Sequence, residues 1–138
     1  MMTMPGPIHQ SLLFLLKHNP HIIFELARNF DETVAVSYKR YEAAANELPK
    51  PSDPSNIMYA DWLVAAVADP PRPPPDSYAT AVAVEVQTSD DYLKYYSWLS
   101  YAAGVRRVFK TRGWTLVFAH DAAVRRRAQN MFVDEPKP

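Results

Sequence analysis

The sequence predicts a mixed α/β domain in which a small sheet is flanked by helices. Three patterns carry that prediction: helical spacing of apolar residues near the N-terminus, two strand-like segments around a proline-rich stretch, and a later helix, strand and helix in that order. At 138 residues the chain is long enough to bury one core, and a single domain is expected over residues 1–133, with residues 134–138 a disordered tail.

From Ile8 to Asn19, apolar residues at Ile8, Leu12, Leu15 and Leu16 fall on one helical stripe, and Pro20 ends it. A second helix is expected from His21 to Asn29, with Ile22, Ile23 and Leu26 facing inward. Thr33 to Leu48 reads two ways. Tyr38, Tyr41, Ala44, Ala45 and Leu48 suit a helix, whereas Val34 and Val36 suit a short strand. Pro49, Pro51 and Pro54 mark a loop, because proline lacks the N–H that both regular ladders need.

Asn56 to Ala68 is nearly all apolar and aromatic and reads as one strand. Pro70 to Pro75 form a second loop, and Tyr78 to Thr88 alternates small and β-branched residues as another strand. An antiparallel pair joined by that loop is the simplest topology. Ser89 is a plausible N-cap, and Asp90 and Asp91 suit a first helical turn. The helix is expected to run to about Ala103 on a face of Leu93, Tyr96, Leu99 and Ala103, with Gly104 as its C-cap. Trp114 to Ala119 reads as a short buried strand, and a last helix runs from Asp121 to about Phe132. Trp62, Trp98 and Trp114 are expected in or beside the core.

Composition excludes several chemistries. There are no cysteines, which removes disulfides, zinc–thiolate sites and thiol nucleophiles. Three glycines leave no glycine-rich phosphate loop, and the four histidines show no metal-ligand spacing. Fifteen Lys and Arg balance fifteen Asp and Glu, so no global basic field exists to capture nucleic acid. The longest apolar run of the N-terminal segment, Leu12 to Leu16, is far too short to cross a bilayer, and the N-terminus does not read as a signal peptide. No membrane association and a cytoplasmic location are the expectations.

Chemistry is expected where charge interrupts apolar strands. Asp61 stands in one such run and Glu85 in the other, and each needs a partner, a solvated end or a metal. Side chains alternate along a strand, so Glu85 and Gln87 share one face while Val82, Val84 and Val86 share the other. If the two strands pair, Asp61 comes to the sheet end beside Glu85. Two carboxylates and a backbone carbonyl then form an all-oxygen cluster suited to Mg²⁺ or Mn²⁺.

An acidic residue, an apolar strand ending in Glu85-Val86-Gln87 and a following helix resemble the PD-(D/E)XK nuclease superfamily. The likeness is closest to short bacterial proteins related to its recombination-promoting nuclease and transposase group. It is carried by His9 and Gln10 opening an amphipathic helix, by AVAVEVQ, by Lys94, Ser97, Trp98 and Tyr101 in KYYSWLSY, and by WTLVFAHDAAVRRRA. The resemblance implies a restriction-endonuclease-like core and a metal-dependent nuclease acting on DNA. It makes Asp61, Glu85 and the Val86 carbonyl metal ligands, with Glu25 as an added helix-borne acid. Gln87 takes the place usually held by lysine, where its amide would orient water without bringing positive charge. Lys94 would supply that charge.

Arg106, Arg107, Lys110 and Arg112, and then Arg125, Arg126 and Arg127, are candidate phosphate contacts along a groove. The competing expectation is a nuclease-like fold kept as a binding or homo-oligomeric assembly module, through the exposed side of the tyrosine-rich helix. Neutral net charge and the lysine-to-glutamine departure motivate it.

Overall fold

The computed structural model describes residues 6–29, 32, 34, 40–50, 53–87, 93–119, 122, 125 and 126. Helices α1 (Pro7–His18) and α2 (His21–Arg28) open the chain. Strands β1 (Tyr41–Ala44), β2 (Glu47–Lys50), β3 (Asp53–Tyr59), β4 (Trp62–Val67) and β5 (Tyr78–Gln87) follow, then α3 (Leu93–Phe109) and β6 (Gly113–Ala119). The main sheet has the order β1-β4-β5-β6, and β2 and β3 form a separate two-stranded sheet. The first three strands of the main sheet are antiparallel neighbours, whereas β6 runs parallel to β5 after the α3 crossover.

The sheet has a helix layer on each face because its strands alternate two kinds of side chain. Trp62, Val64, Ala66, Val82 and Val84 pack with Leu16, Ile23, Phe24 and Ala27 of α1 and α2. Leu63, Ala65, Ala81 and Ala83 pack with Trp98, Tyr101, Val105 and Phe109 of α3, and with Leu48 of β2. The α3 face is built on alanines, which let a helix carrying large aromatic residues come close. The valine face meets α2 through Ile23 and Phe24, both fully buried. Complete burial of each such apolar side chain is worth about 1.5–3 kcal/mol.

Several expectations are corrected here. The apolar run from Asn56 to Ala68 is two strands in two sheets, broken at Ala60 and Asp61. Hydrophobicity is continuous across the break because Met58 before it and Leu63 and Ala65 after it pack into one core, while Ile57 and Tyr59 are apolar but exposed, so the run alone concealed it. The first proline loop is largely a β-hairpin: Pro49 lies in β2 and Pro54 in β3, with the register shifting between Pro49 and Lys50. A two-stranded sheet has only outer edges, where a missing N–H is tolerated. Neither reading of Thr33 to Leu48 holds as made: Val34 lies in a bend, and Tyr41 and Ala44, which suited a helix, belong to strand β1, pairing with β4, while Leu48 lies in β2.

Helix α3 does not stop at Gly104 but continues to Phe109. Gly104 instead allows close approach, since a Cβ there would lie 3.2 Å from Leu48. The helix ends at Lys110, whose φ of 55° is left-handed and whose N–H bonds to the Arg106 carbonyl at 2.9 Å. The buried face is Trp98, Tyr101, Val105 and Phe109, while Leu99 is exposed. On α1, Leu16 is buried but Ile8 and Leu15 are exposed, because apolar residues occur around most of that helix. On α2 the buried set is Ile23, Phe24 and Ala27. Strand β6, at the sheet edge, is half-buried beyond Gly113. Ser89, Asp90, Asp91, most of the last helix and the tail lie outside the described residues. No helix among those described is long and apolar enough to cross a membrane.

Candidate functional site

The strand register brings the two acids of the alternating pattern to one end of the sheet. Trp62 pairs with Val84, so Asp61, one residue before β4, stands level with Glu85 near the end of β5. Glu85 and Gln87 lie on the α3 face and are 3% and 7% exposed. They continue the line of Ala81 and Ala83, so the face changes from alanine to polar residues as β5 leaves the core. A carboxylate at that depth needs compensation by a proton, a cation or hydrogen bonds.

Asp61 owes its position to the hairpin made by β2 and β3. The chain leaves β1, turns through this hairpin and returns to the main sheet through Ala60 and Asp61. Two bonds pin the return: the Ala60 N–H donates to the Asn46 carbonyl at 3.1 Å, and the Tyr101 hydroxyl donates to the Tyr59 carbonyl at 3.0 Å. The Asp61 side chain then turns toward β5, where its Oδ2 accepts the Val86 N–H at 2.7 Å. The same oxygen lies 3.0 Å from His9 Nε2. A carboxylate only accepts, so with Asp61 ionised the hydrogen resides on Nε2. His9 Nδ1 is buried and has no hydrogen-bond partner among the described residues.

Asp61 is therefore bonded to α1 through His9 and to β5 through Val86, while α3 holds the preceding Tyr59 carbonyl through Tyr101. The Tyr101 phenol is pushed well above its usual range, first by burial, then by the negative charge of Glu85 and, less, of Asp61. It remains a protonated donor beside the acids. That both carboxylates act on one phenol places them in a common electrostatic neighbourhood.

The other candidates separate into near and far. Glu25 is exposed on α2 and does not gather with Asp61 and Glu85. Indeed no three His, Asp or Glu among the described residues form a group able to hold a metal by themselves. Val86 enters through its N–H. Lys94 lies in the first turn of α3, and its side chain is outside the described residues, as are those of Tyr92, Tyr95 and Tyr96.

Of the basic residues, Arg106, Arg107, Lys110 and Arg112 are exposed at the opposite end of the sheet. The Ala81 N–H bonds to the Arg112 carbonyl, and Ala81 is six residues, about 20 Å, before Gln87. Arg106 is further engaged, donating to the Gly113 carbonyl at 3.0 Å and lying 5.9 Å over the Trp114 ring. A groove running directly from the acids through this cluster is thus not what the sheet builds. Arg125 is placed differently. It donates to the Ala119 carbonyl at 3.0 Å, and Ala119 is the register partner of Gln87. Arg126 is exposed beside it, and Arg127 lies outside the described residues.

His9 is the site residue that reasoning from spacing missed. It is 52 residues from Asp61 in sequence, and no local pattern links the two. Its place at the head of the N-terminal helix was the available signal. The chain matches no family model, no curated protein and no solved structure.

Proposed function

We propose that the chain is a divalent-cation-dependent phosphodiesterase with a restriction-endonuclease-like core, acting on DNA at the Asp61–Glu85 end of the sheet. The observation that carries this reading is the register that sets Asp61 level with Glu85, with Gln87 on the same buried face. In open α/β sheets, ligands favour the carboxyl ends of parallel strands. The carboxyl end of β5, with β6 parallel beside it, is this end.

The donor set fits a hard cation. Magnesium keeps several waters and is commonly held by one or two carboxylates with substrate phosphate completing its shell, so a third protein acid is not required. Asp61 and Glu85 would hold it, with the Val86 carbonyl as a further oxygen donor. The cation would supply charge neutralisation at the scissile phosphate and a more acidic water. Gln87 orients that water by hydrogen bonds, its amide offering both donor and acceptor. Tyr101, kept protonated, holds the hairpin return that positions Asp61. Arg125 is the cationic residue assigned to the phosphate backbone at this end, and Lys94, in the first turn of α3, is assigned the charge that Gln87 does not bring.

Plasmid and oligonucleotide DNA incubated with Mg²⁺ or Mn²⁺ test the reading, with Glu85→Gln as the control. Cleavage that needs the metal and is lost in the variant is expected. Intact DNA with either metal overturns it.

A second reading draws on a separate observation. Ile8, Phe14 and Leu15 of α1 are 59%, 66% and 51% exposed, an apolar surface that suits a binding or self-assembly module. Light scattering of the wild type and Phe14→Ser distinguishes it. A wild-type oligomer that becomes monomeric supports assembly, and a wild-type monomer removes it.

A further inference from the structure

We propose that His9 is a positioning residue for Asp61, fixing the carboxylate so that Oδ1 is the oxygen left for a cation. The inference rests on the reading of Asp61 and Glu85 as a cation site and names what makes that site rigid.

Both donors that reach Asp61 converge on one oxygen. The Val86 N–H lies 2.7 Å from Oδ2 and His9 Nε2 lies 3.0 Å from it, and neither bond uses Oδ1. One donor comes from the sheet and the other from the helix layer on the opposite face. Their combination defines the carboxylate plane as well as its position. A single bond to a side chain on a bend would leave rotation about the terminal torsion free, which is broad for aspartate. The His9 and Asp61 side chains are 12% and 23% exposed, so water competes only partly for the bond.

Packing does not account for an imidazole here. His9 Nδ1 is buried without a partner among the described residues, and an unsatisfied buried nitrogen costs free energy. A phenylalanine would fill similar space without that cost. The position retains a polar ring whose one satisfied atom is the one facing Asp61. Ligating carboxylates elsewhere are oriented by such outer hydrogen bonds, and loss of one costs about 10–100-fold in metal affinity. His9 acts through Asp61 and is not itself assigned as a ligand.

The test is titration of the full chain with Mn²⁺ alone, followed by calorimetry, for the wild type, His9→Phe and His9→Gln, with thermal unfolding measured in parallel. His9→Phe is expected to keep or raise thermal stability and to bind Mn²⁺ at least about tenfold more weakly. His9→Gln, whose terminal N–H₂ can stand near the imidazole Nε2, is expected to recover most of the affinity. Wild-type affinity in His9→Phe, or equal losses in both variants, overturns the inference and leaves the cation site standing. No Mn²⁺ binding by the wild type overturns both. Should His9→Phe not fold, ¹⁵N spectra of the wild-type imidazole decide. Protonation at Nε2 and a shift of that resonance on Mg²⁺ saturation are expected, and an unmoved resonance at saturation overturns the inference.

Discussion

The two faces of β5 are equally buried, yet they are built to different ends. On the α1 and α2 face, Val82 and Val84 continue to Val86, and the strand stays apolar to its last turn. On the α3 face, Ala81 and Ala83 give way to Glu85 and Gln87 at the same depth. Both faces lie in one strand and meet a helix layer, so packing alone would favour apolar residues on each. Only one face places an acid and an amide where apolar side chains would serve stability better. That asymmetry, rather than burial itself, is what supports the proposed site.

The largest effect expected from breaking the apolar face is on stability. Phe24→Ala removes a fully buried ring and should lower unfolding free energy by about 3–5 kcal/mol in urea titration. Cation affinity measured on the folded fraction should not change. Loss of cation binding without loss of stability would show that the two faces do not divide the work as described.

Glu85→Gln is the complementary change on the other face. Cation-dependent cleavage should fall by at least about a hundredfold, close to 2.7 kcal/mol of barrier. The stability change should be smaller than for Phe24→Ala. An active Glu85→Gln variant would reduce the polar face to an accident of the strand end.

Tyr101→Phe probes the boundary between them and has the smallest effect, about 1 kcal/mol for the bond to the Tyr59 carbonyl. It also carries a sign in pH. The folded phenol is held above its ordinary value of about 10, so the unfolded chain loses its proton first as pH rises. Stability is therefore insensitive to this group below pH 10 and falls above it. Tyr101→Phe should flatten that alkaline decline in a denaturation series, and an unaltered slope would place the titration elsewhere.

How much of this was legible in the sequence depends on the range of the pattern. Glu85 and Gln87 were readable because period-two alternation is local: AVAVEVQ states which face each residue takes. Helices α1 and α2 were bounded by Pro20, again a local signal. The break at Ala60 and Asp61 was hidden because Met58 of β3 and Leu63 and Ala65 of β4 pack into the same core, so strands of two sheets read as one apolar run. Gly104 misled because glycine serves close packing as well as helix ends, and here Leu48 lies against it. The inward face of α1 was misjudged because the helix is apolar on more than one side. His9 was beyond spacing arguments because its partner is fixed only by tertiary packing. Basic residues near in sequence to the site proved far in space, since α3 carries them along its 17 residues to the other end of the sheet.

The division between the two faces of β5 comes down to one cation shared by Asp61 and Glu85, as proposed above. A crystal soaked in Mn²⁺ and measured at the manganese absorption edge tests it most directly. One anomalous peak is expected in contact with an oxygen of Asp61 and an oxygen of Glu85, with Asp61 Oδ2 still bonded to the Val86 N–H. A well-ordered crystal with no peak there, or with manganese bound only by other residues, would contradict it.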